Sequence, residues 1–515
     1  MTSDAGVQSV EAREAVAVST IHRAGRVVVA AAALGLAGQL LFFDVGLGIN
    51  FPIAVGLLLA AAWRVRRSRA VHRLDAWLAP AAFVFAAFAA IRADATLVAL
   101  DVLTAITLTG ATVATFGGRS VVPKPIGTVM GLAIATIGWI VGGAAQAVAS
   151  AVRNLPSRGA VERRSSSAMP VIRGLLIAIP VVLVFVALFA SADAVFGHMI
   201  DDLFGFELNL GDLGWRVVLA LVLAWLAAGA LALAASTPRS EARDEAQESR
   251  WHLGVTEIVT VMVAVDILFA VFVALQAAYL FGGLDTIAAA GMTYSAYARR
   301  GFFELVAVAV IAGGLIVLAD RLAPTRTRRA ITSAMALAAL TGVVLASAAL
   351  RLRLYQEAYG WTELRLYVVA TIALLAVMVI ALLVTLATDR VRWIGHVVIV
   401  ATLAIGLALN VIGPVRFITE QNVARVLDPS LVPARGESGL DEAYVAGLGD
   451  DAIPPLIRAL PQLDAGSAAY LRDQLDFRLE ELRNQDGLNA WQAWNAGRAA
   501  AKDALVAAEA RGDLP

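Results

Sequence analysis

Long apolar runs alternate with short polar stretches along almost the whole chain. A helix needs about 20 mainly apolar residues to cross the hydrocarbon core of a bilayer, which is about 30 Å thick. Runs of this kind recur, so the pattern predicts an all-α, polytopic transmembrane helical bundle of about eleven spans. In chain order, the predicted spans are Val27–Phe43, Phe51–Trp63, Trp77–Ile91, Thr96–Phe116, Val171–Ala190, Arg216–Ala235, Val255–Phe281, Phe302–Leu318, Ala330–Leu350, Val368–Thr388 and Ile394–Ile412.

Basic residues cluster between alternate spans, as in the run from Arg64 to Arg73 and in the loop after Arg321. By the positive-inside rule these loops are cytoplasmic, which places the N-terminus inside and the C-terminus outside. Residues 1–22 are polar and acidic and lack the basic start of a secretory signal peptide. We therefore expect them to form a disordered cytoplasmic tail.

The segment 125–170 breaks the alternation. Its apolar part, Pro125–Val152, is interrupted by glycines and has basic residues on both flanks. A true span would leave one basic flank outside, so the pattern favours a re-entrant or interfacial pair of short helices, followed by a basic cytoplasmic loop. Residues 23–124 then form two transmembrane hairpins, and residues 171–413 form the main transmembrane core.

Residues 414–515 are soluble in character, and we expect an extracytoplasmic helical domain. Leucines three and four residues apart predict an amphipathic helix that begins near Ser467. These leucines are Leu471, Leu475, Leu479 and Leu482. A second helix is predicted around Trp491, Trp494 and Leu505, with Gly512 closing it. The pair Pro454 and Pro455 fits the first turn of a shorter helix.

The composition supports the membrane assignment. Hydrophobic residues make up 59% of the chain and charged residues 16%, whereas about a quarter of the residues are charged in soluble proteins. The formal net charge is zero, and nucleic acid is not expected as a partner. The absence of cysteine excludes disulfides, thiolate metal sites and cysteine nucleophiles.

Asp266 falls near the middle of a predicted span. A carboxylate at the bilayer centre costs about 2.5–3.5 kcal/mol on insertion scales, so the group must be paired, protonated or beside water. It could be a proton or cation site, but an interhelical hydrogen bond made by a protonated aspartate is the favoured interpretation. In the fourth span, Asp101 is expected to pair with Arg92.

Several cations lie on the predicted outer side, against the positive-inside bias. Together with nearby carboxylates they are Arg299, Arg300, Glu304, Arg351, Arg353, Glu357, Glu363 and Arg365. They could recognise an anionic group such as a lipid headgroup, a phosphate or a carboxylate. They could equally form an arginine–glutamate network between outer loops. Tyr355 and Tyr359 lie among these residues, and an aromatic belt would explain them without a ligand.

No catalytic motif is present. The chain has no Walker loop, no HExxH and no nucleophile elbow, so an enzyme is not indicated and no cofactor is expected. His198, Asp201 and Asp202 have a spacing that could hold a metal, although a solvated helix face is the favoured interpretation. The predictions therefore include no metal site.

Four stretches resemble a known family. They are TYSAYARRGFFEL from Thr293, RLRLYQEAYGWTELRLY from Arg351, FITEQNVAR from Phe417 and LDEAYVAGLGDDAIPPL from Leu440. They resemble a family of bacterial polytopic membrane proteins that is known as domain of unknown function four-one-seven-three, a relative of four-one-five-three. The resemblance covers roughly Val171 to Leu456. It implies an integral protein of the bacterial cytoplasmic membrane, with its motif residues gathered at one face, and it brings no activity.

Two functional hypotheses remain open. In the first, the bundle binds or transports an anionic solute or lipid, with Asp266 as a proton-coupled group and the outer arginines as the entry site. In the second, the chain is a cell-envelope sensor or scaffold, and its C-terminal domain recruits a partner. The expected partners are the lipid bilayer and, under the first hypothesis, an anionic lipid or small anion. The sequence does not identify a protein partner.

Overall fold

The computed structural model describes residues 24–66, 68, 72–120, 136, 138, 140, 142–151, 211–236, 254–281, 302–322, 326–433, 436 and 438–514. Throughout these residues the chain is helical or connects helices, which confirms the all-α prediction. The helices before the C-terminal region are α1 Ala24–Phe42, α2 Asn50–Val65, α3 Leu78–Phe88, α4 Ala95–Phe116, α5 Gly211–Ala235, α6 Val255–Phe281, α7 Phe302–Leu322, α8 Arg328–Tyr359, α9 Glu363–Ala387 and α10 Ile394–Ile412.

Within the described ranges, seven of these helices are long and apolar enough to cross a membrane, and three shorter apolar helices accompany them. Together they account for every predicted span except Val171–Ala190, which lies outside the described residues. The predicted N-terminal tail and most of the segment 125–170 also lie outside them, although residues 142–151 are helical.

The described residues fall into two compact units. The first contains residues up to 87, 103–122 and 129–242. Its core joins α1 to α5 through small side chains. The close approach of α1 to α5 requires glycine at position 35, because a Cβ there would collide with the backbone of Ala220 and the side chain of Ala224. Small residues of this kind allow transmembrane helices to approach closely.

The second unit contains residues 88–102, 123–128 and 243–515. In it α8 packs against α6, α7 and α9, and α9 packs against α10. The side chains that fill the interior are apolar, among them Met262, Ile316, Leu337 and Val344. This interior joins five helices, α6 to α10.

Helix α8 is longer than the predicted span. Its 32 residues extend for about 48 Å, well beyond the hydrocarbon core. The predicted outer stretch Arg351–Tyr367 is therefore mostly helical, and only Gly360–Thr362 connects α8 to α9. The helix ends where Gly360 adopts a φ of +75°, and Thr362 begins α9 by accepting the Arg365 N–H with its side chain. No residue before Gly360 interrupts the helix, which explains its extra turns.

We call residues Pro414–Leu514 the C-terminal domain. Its helices are α11 Pro414–Leu427, α12 Glu442–Gly447, α13 Ile453–Ala459, α14 Ala465–Asn484, α15 Asp486–Asn489 and α16 Ala496–Arg511. The amphipathic helix predicted around Leu475 corresponds to α14, but Asp464 rather than Ser467 caps it, accepting two backbone N–H groups at 3.0 Å. The early proline turn of α13 is confirmed.

The last predicted helix begins later than expected. Trp491 and Trp494 precede α16 and are exposed, while Asn495 caps it by accepting the Arg498 N–H at 3.0 Å. An asparagine at this position competes well for the first turn, so the tryptophans fall in the preceding turn. Gly512 closes α16 as predicted, with a φ of +76°.

The C-terminal domain shares its hydrophobic core with the ends of three bundle helices. Leu97 of α4, Leu366 of α9 and Leu409 of α10 are buried together with the domain leucines. The domain is therefore part of the same packed body as α8–α10. Only Gly413 separates α10 from α11, and its φ of +66° makes the turn.

Candidate functional site

The predicted site residues do not form one site in the described structure. Arg299 and Arg300 lie outside the described residues, as does the side chain of Glu304. His198 and its neighbours, the weak metal candidate, also lie outside them. In the described part of the chain, no group of three or more histidines and carboxylates could hold a metal ion.

Asp266 makes a hydrogen bond between helices. The Ser333 hydroxyl of α8 donates to Asp266 Oδ2 of α6 at 2.5 Å. Ser333 lies in the second turn of α8, and Arg353 lies 20 residues further along the same helix, which is about 30 Å. Asp266 and the arginines near the end of α8 therefore cannot belong to one binding site.

The residues at the far end of α8 contact one another. The Arg353 guanidinium donates to Glu357 at 2.8 Å, one helical turn away. Arg351 is half-buried on the same turn, and the rings of Tyr355 and Tyr359 lie 5.0 Å apart. Arg353 and Glu357 thus form an i, i+4 pair on a single helix.

Arg365 closes the connection between α8 and α9. Its guanidinium donates to the carbonyls of Tyr359 at 3.0 Å and Gly360 at 2.6 Å, and it lies over the Tyr355 ring at 4.3 Å. Carbonyls at a helix C-terminus lack partners within the helix, and a cation is favourable there. The structure therefore uses Arg365 as a cap for α8.

Two residues that the sequence analysis did not single out hold the same turn from α11. Arg425 donates to the carbonyls of Glu357 and Ala358, and Asn422 makes both backbone hydrogen bonds of Trp361 at 2.8 Å. Both residues lie in the FITEQNVAR stretch, which carried the family resemblance. The spacing of these polar residues on α11 matches no functional motif, so the sequence gives no other indication of their role.

The loop between α3 and α4 is bound to the C-terminal domain by its backbone. Asn495 donates to the carbonyls of Ala89 at 3.0 Å and Arg92 at 2.8 Å. The N–H groups of Ala496 and Gly497 donate to the carbonyls of Ala90 and Ile91, which lie between Ala89 and Arg92. In return, Ala93 N–H donates to Asp451 Oδ2 at 3.0 Å. Glycine is required at position 497, because a Cβ there would collide with the Asp451 carboxyl.

Two residues of this loop belong to a polar group that we call the junction cluster. It is formed by Arg92 and Asp94 of the loop, Asp101 of α4, Tyr367 of α9 and Asn410 of α10. Asn410 Nδ2 donates to Asp101 Oδ1 at 2.8 Å and to the Gly406 carbonyl at 3.0 Å. Arg92 donates to the backbone carbonyl of Asn410. The predicted Asp101–Arg92 pair is therefore wrong, because Asn410 lies between the two residues.

The two aspartates and the asparagine of the junction cluster are deeply buried, and the cluster is incompletely hydrogen-bonded. Asp94, Asp101 and Asn410 are 1%, 2% and 0% exposed. Among the atoms that the structure describes, Asp101 Oδ2, Asn410 Oδ1 and Arg92 Nε have no hydrogen-bond partner. Buried polar atoms without partners are rare in folded proteins, so each of these atoms calls for an explanation.

Asp94 begins α4 as its cap. Its Oδ1 accepts the Leu97 N–H at 2.9 Å, and Tyr367 approaches the other oxygen at 3.5 Å. The pKa of Asp94 is raised to about 6, mainly by burial and also by the nearby carboxylates Glu363 and Asp451, against the lowering effect of the cap. The pKa of Asp451 is also raised, mainly by burial.

Asp450, next to Asp451, has a different environment. Arg478 of α14 donates to both of its oxygens, at 2.8 Å and 3.0 Å, and Arg498 of α16 lies 3.7 Å away. This bidentate pair joins α14 to the short 3₁₀ turn Asp450–Ala452, which precedes α13. The two adjacent acids therefore make different contacts. Asp450 pairs with an arginine of the C-terminal domain, and Asp451 binds the loop between α3 and α4.

A family model described as a domain of unknown function (DUF4153) matches residues 53–459. The match begins in α2, well before the region of resemblance that was expected from Val171. The expected family was domain of unknown function four-one-seven-three, with four-one-five-three as its relative. The match is to four-one-five-three, so the expected family number is corrected. Neither the curated proteins nor the solved structures contained a match.

Proposed function

The chain belongs to the DUF4153 family, and from that premise we propose that it is a membrane-anchored sensor or scaffold of the bacterial cell envelope. In this proposal the protein lies in the cytoplasmic membrane with its N-terminus inside, and the C-terminal domain recruits a protein partner outside. The integral membrane character comes from the apolar helices. The observation that supports recruitment of a partner is an exposed stripe of side chains on α14.

The stripe consists of Tyr470, Asp473, Phe477 and Glu480, all exposed and spaced so that they share one helix face. Phe477 is 66% exposed and Tyr470 is 42% exposed. Large aromatic side chains in water are typical of interaction surfaces. The stripe therefore offers apolar contact area bordered by carboxylates.

The arginines of α14 are engaged elsewhere, which leaves the stripe acidic. Arg472 donates to the Asp513 carbonyl at 3.1 Å. Arg478 binds Asp450, and Arg483 makes two hydrogen bonds to Glu509 at 3.0 Å and 2.6 Å. An acidic and aromatic surface complements a partner segment that carries lysine or arginine beside apolar residues.

Crosslinking in intact cells tests the proposal. A photoreactive amino acid at position 477 should capture a partner, whereas the same group at the exposed position Val506 of α16 should not. Replacing Asp473 and Glu480 by arginine should abolish both the adduct and the rescue of a deletion phenotype, because the charge of the stripe is then reversed. Full rescue by this double variant, with protein levels unchanged, would refute the partner surface.

A second proposed function is the transport or binding of an anionic solute or lipid, and it depends on Asp266. A pocket of roughly 350 Å³, including space open to solvent, is lined by Met262, Ala334, Asp320 and Arg326. Met262 lies one turn from Asp266 on α6, and Ala334 follows Ser333 on α8, so the pocket ends close to the Asp266 hydrogen bond. If Asp266→Asn and Arg300→Ala proteins insert normally and both rescue a deletion phenotype, transport is excluded.

A further inference from the structure

The hydrogen bonds of Asp101 do not suit an ionised carboxylate. An ionised carboxylate can accept about four hydrogen bonds, yet Asn410 Nδ2 is the one donor that the described structure gives Asp101. The side chain is 2% exposed, and a buried charge with so few donors is costly. Arg92, the nearest cation, donates to backbone carbonyls instead.

In the part of the chain that the structure describes, Asn410 has an oxygen without a hydrogen-bond donor, just as Asp101 has an oxygen without a partner. Its amide nitrogen has two acceptors, Asp101 Oδ1 and the Gly406 carbonyl, whereas its Oδ1 has no donor among the described atoms. The pair therefore lacks one hydrogen atom. A proton on Asp101 Oδ2 would supply a donor for Asn410 Oδ1, and the two groups would form the cyclic pair of a carboxylic acid with a carboxamide.

We propose that Asp101 and Asn410 form a proton-binding site at the junction between the bundle and the C-terminal domain. The bound proton comes from water and returns to it, and no other bond is made or broken. When the proton leaves, the new negative charge competes with the Asn410 carbonyl for the Arg92 guanidinium. Arg92 then moves toward Asp101 and draws the loop that follows α3 away from the C-terminal domain.

The charged groups around the site favour this response. Asp94 and Arg92 are the charged groups that act on Asp101, and Tyr367 of α9 adds a hydroxyl. Glu363 of α9 and Asp451 of the C-terminal domain act on Asp94. Arg92 thus interacts with Asp101 and with Asp451, so a negative charge on Asp101 attracts its guanidinium. The proton site stands without the partner proposed above, but its use as the input of a sensor rests on that proposal.

Infrared difference spectroscopy of the full-length protein in detergent tests for the proton. At about pH 7 the wild-type protein should show the carbonyl band of a protonated carboxylic acid. The intensity of this band should fall in Asp101→Asn and change little in Asp94→Asn, and a protonated Asp266 would contribute equally to all three spectra. Asparagine at position 101 reproduces the hydrogen bonds of the protonated acid, so we expect this variant to fold. A wild-type spectrum without the band would overturn the proposal, and so would a band of equal intensity in wild type and Asp101→Asn.

Hydrogen–deuterium exchange tests the coupling to the loop. Protection of the Ala93 and Gly497 amides, corrected for intrinsic exchange, should fall in wild type between about pH 7 and about pH 9, by up to about tenfold per pH unit. It should stay within about twofold in Asp101→Asn over this range. Equal losses in both proteins would refute the coupling. Neither measurement needs the partner, so a missing band with an intact Phe477 adduct would remove the proton site alone.

Discussion

Asp94 allows a direct test of how the junction cluster depends on pH. Its carboxyl is 1% exposed and caps α4 by accepting the Leu97 N–H. Asparagine caps helices about as well as aspartate, so Asp94→Asn keeps the cap and removes only the charge. The variant therefore isolates the cost of ionising a buried acid at this position.

The magnitude follows from the pKa of Asp94. Burial raises it from 3.8 to about 6, and at 1.36 kcal/mol per pH unit the difference corresponds to about 3 kcal/mol. The folded protein binds this proton more tightly than the unfolded chain does. The stabilising contribution is therefore complete below about pH 4 and is lost as the pH rises through about 6. At pH 7 and above, Asp94→Asn should be more stable than wild type by up to about 3 kcal/mol.

Unfolding of the purified protein in detergent, followed across the range from about pH 4 to about pH 8, measures this effect. Wild type should lose stability over that range, and Asp94→Asn should lose less. Asp428→Asn is the matched control, because Asp428 is an exposed cap whose pKa is lowered by its hydrogen bonds with Ser430. The reasoning fails if the wild-type pH dependence survives unchanged in Asp94→Asn, or if that variant is the less stable protein at pH 7.5.

Three further changes should each lower the free energy of unfolding, measured in the same detergent assay. Arg478→Leu leaves the buried Asp450 carboxylate without its bidentate partner and should cost about 3–5 kcal/mol; Asp450→Asn in the same background should recover part of the loss. Gly360→Ala should cost about 1–2 kcal/mol because its φ is +75°, whereas Gly314→Ala, with open space at the Cβ position inside a helix, should be neutral or stabilising. Ser333→Ala removes one interhelical hydrogen bond and should cost about 0.6–2 kcal/mol; no change would show that this bond is not formed in the bilayer.

The apolar pattern predicted the helices well because burial in a bilayer demands long apolar segments. Predicted spans such as Val255–Phe281 coincide with the observed helix, and the leucine spacing located α14. The errors came from polar residues at helix ends. Asp464 and Asn495 cap helices at positions that the apolar pattern does not mark. Caps depend on one side chain meeting one N–H, and hydrophobic periodicity carries no information about that.

The candidate site was harder to predict for a related reason. The sequence marks Asp101 as a polar residue in an apolar helix, but 309 positions separate it from Asn410 in the chain, and spacing arguments reach only a few turns. Arg92 was the nearer cation in sequence and was the natural partner to expect. The structure gives its guanidinium a backbone carbonyl instead, which a side-chain pairing argument cannot anticipate.

The position of Asn410 explains why the junction cluster can influence the C-terminal domain. Asn410 lies three residues before Gly413, the single residue between α10 and α11, and a Cβ on Gly413 would contact the Arg92 guanidinium. Arg92 thus contacts the α10 terminus, while its own carbonyl accepts a hydrogen bond from Asn495 of the domain. A shift of this one side chain changes the end of a bundle helix and the domain contact together. A packed core joins the end of α10 to the C-terminal domain. A displacement of one is therefore transmitted to the other.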